Sequence, residues 1–162
     1  MQLNNREWTL EKNNSIVYGK NKLTVHNFNL TQGEQQLLIN SIPSSTADVR
    51  FQFTNLHVED FYHFIRLYGY DASGQLTGTV DVKNIFSNLF FIANATITNF
   101  YFNHDHIGTV TVKSDYVTSK NKMNLDLRVL DAEYDIRTKG YFLPMEKDTS
   151  LHLTTEVVKV NV

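Results

Sequence analysis

Strict alternation in residues 123–129 constrains this chain more than any other stretch. Met123, Leu125, Leu127 and Val129 alternate there with Asn124, Asp126 and Arg128. A period of two sends successive side chains to opposite faces, so this is a half-buried antiparallel strand with one apolar and one polar face. GTVTV repeats the pattern with Val110 and Val112 inward, and TGTVDV repeats it with Val80 and Val82 inward. Aromatic and β-branched residues recur throughout, and only 7 glycines and 2 prolines interrupt them. Strands are therefore expected from end to end.

Turn residues cut the chain into hairpins. They lie at Tyr18-Gly19-Lys20-Asn21, Gln32-Gly33, Pro43-Ser44-Ser45, Asp71-Ala72-Ser73-Gly74, residues 103–108, Ser119-Lys120-Asn121 and Pro144. Such spacing predicts roughly ten strands in a meander. One stretch departs from period two: Phe61, Phe64, Ile65 and Tyr68 follow helical spacing, Glu59 and Asp60 suit a helix start, and Gly69 is placed to stop it. One short helix is expected near residues 56–68, capping an edge or an open end of the core.

A six-residue pattern, apolar-x-Asn-apolar-x-apolar, occurs around Asn27, Asn55 and Asn99. Apolar parity flips at the asparagine: Leu23 and Val25 are odd, Phe28 and Leu30 even; Ile97 is odd, Phe100 and Phe102 even. A flip means either that the strand changes face or that one extra residue is inserted; a bulge is the preferred reading, since Asn tolerates the left-handed backbone that a bulge can require. Bulges at these positions would bend the sheet. The expected fold is all-β: a curved antiparallel meander in one domain over residues 1–162.

Several functional classes are disfavoured. The formal net charge of -2 gives no basic excess for nucleic acid. There is no cysteine, which removes thiol chemistry and the common zinc-finger spacings. No nucleophile elbow, phosphate loop, dinucleotide fingerprint or zincin motif is present. His104-Asp105-His106 is the one compact metal-like cluster, and a solvated turn is the preferred reading because no further ligand is placed to complete a site. His26, His57, His63 and His152 are read as surface residues. No catalytic, metal or cofactor residue is assigned.

Taken in order along the chain, SIVYGKNKLTVHNFNLTQGEQQLLINS (residues 15–41), GQLTGTVDVKN (74–84, with Gly74, Leu76, Gly78, Val80 and Val82), ATITNFYFNHDHIGTVTVKSDYV (95–117) and KGYFLP (139–144) resemble the C-terminal region of TamB-like translocation and assembly module proteins, in the AsmA-like superfamily. That resemblance implies a taco-like, U-shaped stack of strands, with an apolar concave face, in the periplasm of a Gram-negative bacterium. It further implies passage of phospholipid acyl chains between the two membranes, or outer-membrane protein assembly beside a BamA-like barrel. Family members are far longer and carry an N-terminal anchor not found in these 162 residues. With strand-like sequence at both ends, the chain is expected to be an excised segment, and edge-to-edge self-association is expected of it.

Acyl chains need only apolar surface, worth about 0.8 kcal/mol per buried methylene. Val80, Val82, Val110, Val112, Leu125, Leu127, Phe142, Leu151 and Leu153 are the candidate lining. The alternative is a β-sandwich-like binding or interaction module, in which that face closes on itself as an ordinary core and no lipid is involved.

Overall fold

A computed structural model of the chain describes residues 2–3, 6–61, 70–144, 146 and 150–160. Within them the strands are β1 (Gln2–Leu3), β2 (Arg6–Glu7), β3 (Thr9–Leu10), β4 (Ser15–Gly19), β5 (Lys22–His26), β6 (Phe28–Gln32), β7 (Gln35–Ser41), β8 (Val49–His57), β9 (Ala72–Lys83), β10 (Phe90–Phe102), β11 (Asp105–Val117), β12 (Lys122–Leu130), β13 (Tyr134–Phe142) and β14 (Leu151–Val160). Ten of these form one open sheet in the order β14-β13-β12-β11-β10-β9-β8-β7-β6-β3. From β6 onward every neighbour in space is a neighbour in sequence, and all pairings are antiparallel: the expected meander. β1-β2 and β4-β5 are separate two-stranded hairpins. Among the described residues no second sheet of comparable size faces the large one, so the architecture is an open sheet and not a sandwich.

Two of the three asparagines sit at the expected bulges, and Asn27 sits instead where the chain changes sheets. Asn27, Asn55 and Asn99 all adopt left-handed backbone, at φ 47°, 46° and 48°. Register shifts accompany two of them, between Phe53 and Leu56 in β8 and between Ile97 and Phe100 in β10. At the first, the chain leaves the β4-β5 hairpin and enters the large sheet, so one extended run serves two sheets. Asn27 N–H donates to Asn40 Oδ1 at 2.7 Å, replacing the ladder bond lost there. Serine hydroxyls perform the same repair nearby: Val25 N–H donates to Ser41 Oγ and Ala93 N–H to Ser114 Oγ, each at 2.8 Å.

Two turn assignments need correcting. Asp71-Ala72-Ser73-Gly74 is not a turn, because β9 already begins at Ala72 and Gly74 lies inside it. The turn expected over residues 103–108 is only Asn103-His104, and β11 starts at Asp105. Both glycines are needed for close strand approach instead. A Cβ on Gly74 would sit 2.8 Å from the Ile97 side chain, and one on Gly108 would sit 2.4 Å from the Leu130 carbonyl oxygen.

In place of the start of the expected helix there is a single 3-10 turn, Val58–Phe61. Phe64, Ile65, Tyr68 and Gly69, with His63, lie outside the described residues. The turn plugs one end of the core. Phe61 meets Trp8 edge-on at 5.4 Å between ring centroids, and Trp8, Leu30, Leu37 and Leu56 form the buried cluster. Asp60 beside it is fully buried, held by Arg6 Nη1 at 2.9 Å and by the Gln35 amide at 3.0 Å. Gln35 completes the knot by accepting His57 N–H at 2.7 Å.

Candidate functional site

Strand register builds the candidate site. In the row Leu30, Leu37, Phe53, Gly78, Ala95, Val112, Leu127, Thr138 and Thr155, each residue lies directly opposite the next across nine strands. A second row runs Leu56, Leu76, Ile97, Val110, Val129, Ile136 and Val157. Directly opposed residues share a face, so the sheet has one continuous apolar face from β6 to β14. All nine residues expected to line such a face lie on it. Val80 and Val82 oppose Phe51 and Val49, Val110 and Val112 oppose Val129 and Leu127, Leu125 and Leu153 flank Gly140, and Phe142 opposes Leu151.

Hydroxyls that fall on this face are internally satisfied. Thr138 and Thr155 bond each other at 3.0 Å, and Ser114 Oγ takes up Ala93 N–H while donating to the Phe91 carbonyl. Neither pair disturbs the apolar character.

Cover over the face is uneven. Over β6 to β9 it is packed by Trp8 and Phe61, giving the closed core. By β14 it is open: Leu151, Leu153 and Val157 are 54%, 53% and 57% exposed. Between the β4-β5 hairpin and the sheet lies an apolar groove of about 360 Å³. Its walls include Ile16, Leu23 and Val25 from the hairpin, Phe51 and Val82 from the sheet, and Leu89 from the β9-β10 connection. Every residue lining it is apolar. Of the nine expected residues only Val82 reaches this groove. The hairpin's share was missed because the Asn27 flip removes β4 and β5 from the sheet's own alternation; residues 15–19 in SIVYG were the available signal.

The opposite face carries the charge. Arg50 grips Asp81 with two bonds of 2.6 and 2.8 Å between β8 and β9. Arg128 holds Asp135 with bonds of 2.9 and 2.8 Å, and Arg137 adds one of 3.1 Å. Hydrogen bonding from Arg128, helped by Arg137, outweighs desolvation and pulls the Asp135 carboxyl from 3.8 to about 2. At Asp48 burial acts to raise the pKa, but bonds from Asn84 N–H and Lys83 win, so it lies below the ordinary value. These groups are paired in a structural lattice that ties adjacent strands.

His104 and His106 sit at the β10-β11 turn, His104 at 4.0 Å from Asp71 and His106 at 3.2 Å from Asp131. They face different acids, and among the described residues no three potential ligands converge.

No family model, curated protein or solved structure matches this chain.

Proposed function

We propose that this chain is a non-catalytic segment of a TamB-like protein of the AsmA-like superfamily, supplying an apolar surface for phospholipid acyl chains in a bacterial envelope. One observation carries the reading: an apolar face continuous across nine meander strands, packed by aromatic side chains at one end and uncovered at the other. An ordinary core would be covered throughout, whereas a conduit must leave room for its cargo. An uncovered apolar strip binds acyl chains by area alone, with no directed polar contact, at about 0.8 kcal/mol per methylene removed from water. In a full-length protein the same strip would serve transfer between inner and outer membranes, or guidance of nascent outer-membrane strands beside a BamA-like barrel.

Parity provides the test. With the chain exported to the periplasm of a Gram-negative host, a photo-crosslinking residue at Leu151 or Leu153 should capture phospholipid, while the same residue at His152 or Thr154 should not. Equal capture at both parities, or none at either, would refute the lipid role.

A further inference from the structure

The β4-β5 hairpin covers the apolar groove, and that cover is anchored chiefly at one end. Its two connections to the rest of the chain lie side by side. Residues 11–14 lead into β4, Asn27 leads out of β5, and the Asn27 side-chain amide donates to the Asn13 carbonyl at 3.5 Å. Asn27 is left-handed, and an asparagine at the end of an element absorbs a backbone change readily. Along its length the hairpin has no ladder with the large sheet. Leu23 N–H donates to the Thr46 carbonyl at 2.9 Å, the one direct main-chain bond from β4 or β5 to the rest of the fold among the described residues. Ser41 Oγ adds two more links, accepting Val25 N–H at 2.8 Å and donating to the Leu23 carbonyl at 3.4 Å. At the far end the Tyr18 ring meets Phe86 of the β9-β10 connection, 6.2 Å between centroids, while remaining exposed.

Beneath this cover the walls stand apart. The groove of about 360 Å³ lies between Ile16, Leu23 and Val25 above and Val49, Phe51 and Val82 below. Packed interiors leave few spaces larger than a water molecule, and walls that stand apart forgo each other's contacts. The volume falls within the range of about 300–1,000 Å³ typical of small-molecule sites. Its lining is apolar throughout, so a fitting guest is one small hydrocarbon group that needs no hydrogen bond.

We propose that the β4-β5 hairpin is a flap that swings on Asn27 and residues 11–14, opening and closing the groove to such a guest. Its clasps are the Ser41 hydroxyl and the Tyr18–Phe86 contact. Opening breaks one main-chain bond and the two Ser41 bonds, whereas parting β6 from β7 breaks a five-residue ladder. Motion therefore concentrates in the hairpin. The flap follows from the hairpin's attachments and is independent of the phospholipid reading.

N-phenyl-1-naphthylamine, uncharged and fluorescent in apolar surroundings, is the probe, with entry and escape followed by stopped-flow mixing. Ile16→Asp, at an exposed hairpin position that lines the groove, should weaken binding about tenfold and so identifies the groove's share of the signal. The chain has no cysteine, so Tyr18→Cys combined with Phe86→Cys can be joined by a short thiol crosslinker, and neither position lines the groove. Joining them should slow entry and escape about tenfold against the same variant with its thiols singly capped. Ser41→Ala should speed both and raise hydrogen exchange in residues 15–26 about tenfold, while β9 to β13 keep their protection. Far-UV circular dichroism confirms that each variant is folded. A folded wild type that takes up no probe, a signal that Ile16→Asp leaves intact, equal rates in joined and capped protein, or exchange in residues 15–26 unmoved by Ser41→Ala would each overturn the flap.

Discussion

Leucine-to-alanine substitutions at the two ends of the apolar face should differ sharply in cost, because the face is closed at one end only. Leu30 is 3% exposed within the Trp8 cluster, and Leu153 is 53% exposed on β14. Removing three buried carbons forfeits about 2.4 kcal/mol of transfer free energy. At Leu30 nearly all of that is lost and a cavity is left beneath Trp8, bringing the total to about 3–4 kcal/mol. At Leu153 about half is lost and water fills the space, so the cost is about 1 kcal/mol. With a urea slope of about 2 kcal/mol per molar, Leu30→Ala should lower the unfolding midpoint by about 1.5–2 M and Leu153→Ala by about 0.5 M. Dilute protein followed by intrinsic fluorescence reports both, since Trp8 lies in the closed part. Equal shifts would mean that Leu153 is covered in solution, and the account of a half-open face would fail.

Asp135 predicts an acid limb. Its carboxyl is lowered to about 2 in the folded protein, so the stability it contributes is complete above about pH 4 and is lost as pH falls toward 2. Asp135→Asn should flatten the urea midpoint between pH 4 and 2, and an unchanged profile would show that the Arg128 and Arg137 bonds are not formed. At Asn55, with φ 46°, substitution by Val should cost about 1–2 kcal/mol while Gly should be nearly neutral, measured by thermal unfolding. Similar costs for both would deny the bulge. A Cβ on Gly140 would lie 1.9 Å from the His152 carbonyl oxygen, so Gly140→Ala should strip hydrogen-exchange protection from β14 while leaving β6 to β9 protected.

The meander and the composition of its apolar face were legible because period-two alternation survives in nearly every strand and most hairpin turns hold Gly, Asn or Pro, the Asp131-Ala132-Glu133 turn between β12 and β13 being an exception. The bulges at Asn55 and Asn99 were legible for a different reason: like Asn27, they sit where parity reverses, and few other residues tolerate φ near +47°. What escaped was long-range. Asp60 looked like a helix-start acid, yet it is buried by Arg6, which lies 54 residues away in sequence. The cover supplied by Trp8 could not be read either, because Trp8 sits between two strands of two residues each, too short to show a period. Gly74 and Gly108 resembled turn glycines, and their strand role depends on how closely Ile97 and Leu130 approach.

The most direct test of an open acyl-chain surface is native mass spectrometry of the chain purified from a bacterial host, with Val112→Asp and Leu127→Asp, opposed residues on adjacent strands, as the comparison. Phospholipid retained by the wild type and lost from folded variants is the predicted result. A lipid-free wild type, or lipid retained equally by both aspartate variants, would contradict it.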